Sequence, residues 1–299
     1  MFIRWWSGSA KSIQHERYMD STPSVTHLGL CAGYAGIELG LKRAIPNLRT
    51  IALCEVEAFA VANLVAKMES GQLEPAPIWP NLKTFPWQSF RGCVDILTGG
   101  YPCQPFSAAG KRLGTEDPRH LWPYIARGIR ILEPRICFFE NVEGHISLGL
   151  SDVIEDLAGM GYRTTWGIFS ASEVGAPHQR KRVFILAVAS GFRGTAGISG
   201  PFPRHEGQSG ESDDGGGQAA WPSLPGEQQY AWEPPRVIDI SPECSMGRDI
   251  DGSSGRLDYA ELCVTCDNRT DELRLLGNGV VPATAELAYR TLARELFAA

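Results

Sequence analysis

The feature that most constrains the fold is a short apolar run followed by a glycine turn and an amphipathic segment. The run from Val25 to Cys31 predicts a buried β-strand, and the turn 32–36 follows it directly. Ile37, Leu41 and Ala44 then recur at helical spacing. In this strand–turn–helix arrangement the backbone approaches a nucleotide-like ligand at the N-terminus of a helix. The pattern predicts an α/β fold with a doubly wound, Rossmann-like sheet.

A second apolar strand, from Ile51 to Cys54, ends on an acidic residue. Glu55 lies nineteen residues past Gly36. A carboxylate at about this distance accepts hydrogen bonds from ribose hydroxyls in dinucleotide-binding folds. A nicotinamide dinucleotide site would have the same pattern, so this region alone does not choose the cofactor.

A reactive thiol follows a third apolar run. The residues from Val94 to Leu97 predict a buried strand that breaks at Gly99 and Gly100, and Cys103 follows between Pro102 and Gln104. A thiolate is a strong nucleophile, and a tight turn can hold it over the edge of a sheet. The alternative is a structural cysteine buried in a loop, because free cysteine is among the most buried residue types.

A fourth apolar run, from Ile136 to Phe139, ends on Glu140. A carboxylate is costly to bury unless it has a partner or a function. In open α/β sheets, ligands bind outside the carboxyl ends of the strands. Since Cys103 and Glu140 both follow such ends, we expect the two side chains to face one crevice.

Two arginines precede a further apolar run, 183–188. Arg180 and Arg182 alternate, so on a strand they would share one face. Two guanidinium groups on one face suit a carboxylate, a phosphate or a base carbonyl. The alternative is a surface strand with ordinary ion pairs.

Taken together, five motifs resemble those of the DNA cytosine-5 methyltransferases, in the order of that family. They lie within about 28–189 and 272–299, and they are the glycine loop near Gly33, Pro102-Cys103-Gln104, Glu140-Asn141-Val142, Arg180-Lys181-Arg182 and Gly277-Asn278-Gly279-Val280-Val281-Pro282. The resemblance implies transfer of a methyl group to carbon 5 of a cytosine in duplex DNA. The base would be flipped out of the helix to react.

The resemblance also implies roles for the four catalytic candidates. The Cys103 thiolate would add to carbon 6 of the cytosine, and a protonated Glu140 would hydrogen-bond ring nitrogen 3. Arg182 would contact the base and brace Glu140, with Arg180 in support. The DNA-contacting candidates that follow the thiol are Gln104, Ser107, Lys111 and Arg112.

The resemblance names S-adenosyl-L-methionine as the cofactor. It places the loop 31–36 around the methionine part, Glu55 on the ribose, Val56 against the adenine face, and Asn81 with Leu82 at the adenine edge. The full set of expected cofactor residues is Cys31, Gly33, Tyr34, Ala35, Gly36, Glu55, Val56, Asn81, Leu82, Pro102, Leu121, Asn278 and Val280. The chain departs from the usual family residues at Cys31, Ala35, Val56 and Asn81.

Composition divides the chain into three parts. Residues 1–23 carry no period and are interpreted as a tail, while 24–190 plus 272–299 form the predicted catalytic domain. Residues 191–235 are rich in glycine, proline, serine and acidic residues, and the resemblance makes 191–271 a small irregular target-recognition region. The net charge is −6 for the whole chain. The C-terminal part carries most of this negative charge, so a local basic face near Cys103 remains available for phosphates.

We expect double-stranded DNA as the partner, a monomer, no metal site and no membrane span. Eight scattered cysteines suggest a reducing compartment, and we expect a cytoplasmic, nucleoid-associated protein. Three alternatives stay open: a tRNA cytosine-5 methyltransferase of the same fold, a binding module without activity, and an NAD-dependent dehydrogenase.

Overall fold

The computed structural model describes residues 24–102, 121–193 and 275–298. The predicted tail, 1–23, and all of the predicted recognition region except 191–193 lie outside the described residues. The predicted site residues that also lie outside them are Cys103, Gln104, Ser107, Lys111 and Arg112.

The core of the described structure is a seven-stranded sheet with the order β3-β2-β1-β4-β5-β7-β6. Its strands are β1 (Val25–Leu30), β2 (Leu48–Cys54), β3 (Ile78–Trp79), β4 (Ile96–Gly99), β5 (Ile136–Val142), β6 (Tyr162–Phe169) and β7 (Arg182–Ala189). The pairs among the first five strands are parallel, whereas β7 is antiparallel to both β5 and β6.

Six α-helices with assigned bounds accompany the sheet in the described residues. They are α1 (Gly36–Ala44), α2 (Ala58–Glu69), α3 (Trp122–Leu132), α4 (His145–Leu148), α5 (Leu150–Gly159) and α6 (Pro282–Ala298). Residues 275–278 are also helical. No helix in these parts of the chain is both long enough and apolar enough to cross a lipid bilayer.

Helices cover both faces of the sheet. On one face, Leu41 of α1 and Tyr289 of α6 belong to one buried cluster with Phe138 of β5. On the other face, Ile129 of α3 and Leu157 of α5 pack in a second cluster. Apolar burial on both faces explains why the strands read as near-continuous apolar runs. The predicted doubly wound α/β fold is therefore confirmed.

The strand order places a topological switch between β1 and β4. The two strands are parallel neighbours, yet the chain continues from β1 towards β2 and from β4 towards β5. Crevices that bind ligands in open α/β sheets form at such a point, outside the carboxyl ends of the strands. The glycine turn after β1 and the residues after β4 both lie there.

Two predicted strand ends need correction. The sequence predicts that strand β4 breaks at Gly99 and Gly100. The strand includes Gly99, whose backbone pairs with Leu30 of β1 on one side and with Phe139 of β5 on the other. Glu140 lies inside β5, not just past it. The parallel pairing of β5 with β4 ends at Phe139, but antiparallel pairing with β7 continues the strand.

The prediction that Arg180 and Arg182 share one face of a strand is wrong. Strand β7 begins at Arg182, and Arg180 precedes it with φ +35°, in the left-handed region that non-glycine residues rarely adopt. The glycines of the C-terminal motif predict that 275–282 turns through Gly277-Asn278-Gly279, whereas residues 275–278 are helical.

Candidate functional site

One crevice at the switch point gathers residues from five parts of the chain. It lies between the loop after β1, the start of α1, the residue after β4, the end of β5 and the segment before α6. Its lining residues are Cys31, Ala32, Gly33, Tyr34, Gly36, Ile37, Gly100, Glu140, Asn278, Gly279 and Val280. The expected convergence of the glycine loop, Glu140 and the C-terminal motif is present.

The loop after β1 has an unusual backbone. Cys31, Gly33 and Ala35 have φ values of +52°, +54° and +72°. Such conformations are stable only where the surrounding contacts hold them, and they concentrate at binding sites. The pKa of the Cys31 thiol is raised mainly by burial and secondly by the nearby charge of Glu55. Cys31 is therefore a small, protonated residue in the wall of the crevice.

Glu55 holds this loop in place. One of its oxygens, Oε2, accepts a hydrogen bond from the Gly33 N–H at 2.7 Å. The other, Oε1, accepts from the N–H groups of Val56 and Glu57 at 2.8 and 2.9 Å. A carboxylate offers about four acceptor positions, so Oε2 keeps one for a hydroxyl group.

The expected adenine-side residues differ in their surroundings. Val56 is 72% exposed at the end of β2, which is unusual for a large apolar side chain. Asn81 Oδ1 accepts a hydrogen bond from the Lys83 N–H at 3.0 Å and keeps a second lone pair. Leu82 is buried in the core, so its side chain is a packing residue.

The C-terminal segment packs directly against the glycine loop and also lines the crevice. Tyr34 Oη donates a hydrogen bond to the Val280 carbonyl at 2.6 Å. Gly279 lies against the Tyr34 ring, which a Cβ at that position would overlap. A Cβ added at Gly36 would likewise overlap the Val280 carbonyl oxygen. These approaches explain the glycines of both motifs.

Glu140 is the buried acid of the crevice. Its Oε1 lies 2.9 Å from Nε of Arg182. That N–H is not aimed at a hydrogen-bond acceptor, so the contact is an ion pair by proximity of charge. Burial raises the pKa of Glu140 to about 7, although Arg182 and then Arg180 oppose the rise. Its other oxygen, Oε2, faces Gly100, where an added Cβ would lie 3.2 Å away.

Asn141 fixes the chain that leads to Cys103. Its Nδ2 donates to the Tyr101 carbonyl at 3.0 Å, while the Tyr101 hydroxyl lies 3.0 Å from His145 Nε2. Pro102 follows directly and is exposed. Pro102 and Leu121 flank the segment 103–120, and neither is among the described residues that line the crevice. The position of the Cys103 thiol thus stays a prediction.

Arg180 contacts the C-terminal segment. Its Nη2 donates to the carbonyls of Leu276, Gly277 and Gly279 at 2.8, 2.9 and 2.5 Å. Burial, and next the charge of Arg182, lower the pKa of this guanidinium. The expected brace on Glu140 comes from Arg182, whereas Arg180 reaches a different part of the crevice.

Several site residues were missed from sequence. Ala32, Ile37, Gly100 and Gly279 also line the crevice. Lys67 of α2 donates to the Tyr34 carbonyl at 2.9 Å and supports the loop from behind. Small and apolar wall residues carry no chemical signal in a sequence. Among the described residues, no cluster of His, Cys, Asp or Glu could hold a metal ion.

Comparison with known proteins agrees with this geometry. The family model described as C-5 cytosine-specific DNA methylase matches residues 25–211, more than half of the chain. The chain belongs to the C-5 cytosine-specific DNA methylase family. The match starts at β1 of this methylase and extends past β7 into the recognition region predicted for it.

Bacterial methyltransferases are among the similar curated proteins. The Type II methyltransferase M.NgoMIV of Neisseria gonorrhoeae is 32% identical over 171 residues, which cover 56% of this methylase and 53% of that protein. M.PspPI of Psychrobacter sp. (strain TA137) is 30% identical over 197 residues, covering 64% and 46%. The chain spans about half the length of these relatives.

A solved structure of a DNMT2 variant from Spodoptera frugiperda is also similar to this methylase. The two chains share 23% identity with a TM-score of 0.47, over 61% of this chain and 54% of that one.

Proposed function

We propose that this chain transfers a methyl group from S-adenosyl-L-methionine to carbon 5 of a cytosine in duplex DNA. The observation that carries the proposal is the single crevice in which a buried acid, Glu140, lies opposite a glycine loop and beside the residue after β4. An NAD-dependent dehydrogenase would have no use for Glu140, Arg182 and a cysteine placed three residues after Gly100. The family match supports the same chemistry.

The crevice residues suit the methyl donor. The strained loop 31–36 offers its backbone to the methionine part, and the free acceptor position on Glu55 suits a ribose hydroxyl. Exposed Val56 offers an apolar surface to the adenine, with the Asn81 amide at its edge. The donor, when bound, supplies an electrophilic methyl group on a sulfonium. Asn278 and Val280 also line the crevice.

The protein's own groups then activate the base. A ring carbon of cytosine is poorly nucleophilic, so Cys103 adds to carbon 6 as a thiolate and makes carbon 5 electron-rich. Once carbon 5 carries the methyl group, the adduct loses the carbon-5 proton to solvent water and expels the thiolate. Covalent catalysis of this kind divides one difficult substitution into easier steps. Because stacking shields these carbons, the base first leaves the helix, at a cost of about a few kcal/mol.

Glu140 stabilises the charge that develops during the attack. It must be protonated to donate to ring nitrogen 3, and its pKa of about 7 keeps a large protonated fraction near neutral pH. Arg182 lies beside the carboxyl group and orients it towards the base. A low-dielectric, buried position makes such a donor more effective than it would be in water.

Recognition of the DNA substrate is assigned to residues that lie outside the described structure. We assign sequence reading to 191–271, and DNA contacts near the thiol to Gln104, Ser107, Lys111 and Arg112. The protein would then work as a monomer in the cytoplasm, associated with the nucleoid.

Labelled methyl transfer tests the proposal. Wild type and Cys103→Ser are incubated with tritiated S-adenosyl-L-methionine and duplex DNA. We expect transfer by wild type and none above background by Cys103→Ser, because a hydroxyl does not replace the thiolate. Cys93→Ser is the matched control, since Cys93 is exposed and does not line the crevice, and it should keep full activity.

Two outcomes would contradict the proposal. Undiminished transfer by Cys103→Ser would exclude the covalent mechanism. Transfer onto tRNA but not onto duplex DNA would keep the chemistry and change the substrate.

A further inference from the structure

We infer that Arg180 is a positioning residue of the cofactor wall, and that Arg182 rather than Arg180 makes the ion pair with the base-side acid Glu140. The inference rests on the proposed function, because it assigns the crevice to the methyl donor. Arg180 Nη2 donates to three carbonyls of the C-terminal segment, those of Leu276, Gly277 and Gly279. Hydrogen bonds from a charged donor are about twice as strong as neutral ones.

These carbonyls belong to the same short segment as the residues that line the crevice. Residues 275–278 are helical, and carbonyl groups at the end of a helix lack partners within it. Arg180 supplies such a partner to Leu276 and Gly277, and the Leu276 carbonyl also accepts a hydrogen bond from the Gly279 N–H at 3.3 Å. Asn278, Gly279 and Val280 then line the crevice. The next carbonyl, that of Val280, is held from the other side by Tyr34. The wall is therefore fixed at both ends.

The backbone of Arg180 is itself adapted to this contact. Its φ of +35° is a conformation that a non-glycine residue adopts only under constraint. Arg182, two residues later, faces Glu140 at 2.9 Å, so the two arginines of one motif serve different walls of the crevice. The motif Arg180-Lys181-Arg182 therefore contacts the wall assigned to the donor through Arg180 and the wall assigned to the base through Arg182.

Binding of the donor without DNA separates this role from one in catalysis. Wild type, Arg180→Met, Arg180→Lys and Lys181→Met are titrated with S-adenosyl-L-methionine in a calorimeter. We expect the dissociation constant to rise at least 10-fold in Arg180→Met and by less in Arg180→Lys, which keeps the charge but has fewer donors. Lys181→Met removes an exposed neighbouring charge and should change the constant by less than 2-fold.

Two further readouts exclude a general loss of structure. Amide hydrogen exchange should speed up at 276–281 in Arg180→Met while the amides of β5 keep their protection. In activity assays the KM for the donor should rise, with kcat at saturating donor within about 3-fold of wild type. If Arg180→Met does not fold, Arg180→Lys alone decides by the same measurements.

The outcomes distinguish the inference from the proposed function. A wild type that does not bind the donor overturns the proposed function. A wild type that binds, with Arg180 variants that bind equally well but lose kcat, overturns the inference and returns Arg180 to the base side.

Discussion

At the scale of single residues, a buried chain of hydrogen bonds crosses the sheet behind the crevice. His27 Nδ1 lies 3.0 Å from Thr50 Oγ1, and His27 Nε2 lies 2.9 Å from Thr98 Oγ1. The Thr98 hydroxyl donates to Glu38 Oε1 at 3.3 Å. Burial lowers the pKa of His27 to about 3, so the ring is neutral. One consistent direction follows: Thr50 donates to Nδ1, and Nε2–H donates to Thr98.

Glu38 at the end of this chain is poorly solvated when charged. Its Oε2 is buried, with no hydrogen-bond partner among the described residues. Burial is the main cause that raises the pKa of Glu38 from 4.5 to about 7. Because the pKa of Glu38 is higher in the folded state than in the unfolded state, protonation of Glu38 favours folding. This contribution to the free energy of unfolding is fully present below about pH 4.5 and is lost as the pH rises through 7.

We therefore predict that Glu38→Gln flattens the pH dependence of stability. Relative to the variant, the free energy of unfolding of wild type should fall between pH 5 and pH 8.5; the low folded-state pKa of His27 acts in the opposite direction below about pH 6.5, but equally in both proteins. The variant should gain about 1–3 kcal/mol relative to wild type over the same range, because the buried charge is gone. Urea denaturation at several pH values measures this. Some slope remains in the variant, since Glu140 shifts in the same direction.

The control for this prediction is Glu74→Gln, which removes a carboxylate from an exposed pair with Lys42. It should follow the wild-type pH dependence. Parallel pH curves for wild type and Glu38→Gln would show that Glu38 does not carry the effect.

At the scale of elements, the close packing of α3 depends on one glycine. A Cβ on Gly128 would lie 2.6 Å from Cζ3 of Trp87, a buried ring of the second cluster. Overpacking a core contact of this kind costs about 1–3 kcal/mol. Gly159, at the end of α5, has no neighbour within 4 Å of an added Cβ.

We predict opposite effects for the two alanine variants. Gly128→Ala should lower the free energy of unfolding by about 1–3 kcal/mol, since the Trp87 ring must move. Gly159→Ala should leave it unchanged or raise it by up to about 1 kcal/mol, because alanine is the better helix former. Chemical denaturation of both variants measures the difference. Equal stability of the two would mean that the Trp87 contact relaxes freely.

Elements with a clean apolar period were predictable from sequence, and those without one were not. Strand β1, predicted from Val25 to Cys31, spans Val25–Leu30. Helix α2 was missed because its buried side includes polar Asn63 and Lys67, which break the apolar stripe. The position of Arg180 was missed for another reason. Its partners are carbonyls 96 or more residues away, which no local pattern reveals.

At the scale of the whole molecule, α6 returns from the end of the described chain to close one face of the sheet. Tyr289 is fully buried there and meets Phe138 edge-on, with ring centroids 5.5 Å apart. The packing of α6 beside α1 joins the C-terminal segment to the first strand–turn–helix unit. Helix α6 is thus part of the core of the described fold.

We predict that Tyr289→Ala destabilises the entire described fold. Loss of a buried aromatic ring costs about 3–5 kcal/mol, and α6 and β5 share one cluster, so unfolding should stay a single transition. Circular dichroism and tryptophan fluorescence should give coincident curves at a lower midpoint. Arg294→Ala, on the exposed side of the same helix, should change stability by less than about 0.5 kcal/mol. Separate transitions would show that α6 unfolds independently.

The hydroxyl of Tyr34 meets a carbonyl 246 residues further along the chain, and this separation has a consequence for biosynthesis. Translation at 5–20 residues per second needs roughly 12–50 s to cover that distance. During this interval the glycine loop can emerge from the ribosome, but the C-terminal part of the crevice is still missing. On the ribosome, a nascent chain therefore cannot complete this crevice until the segment that carries Val280 has been made.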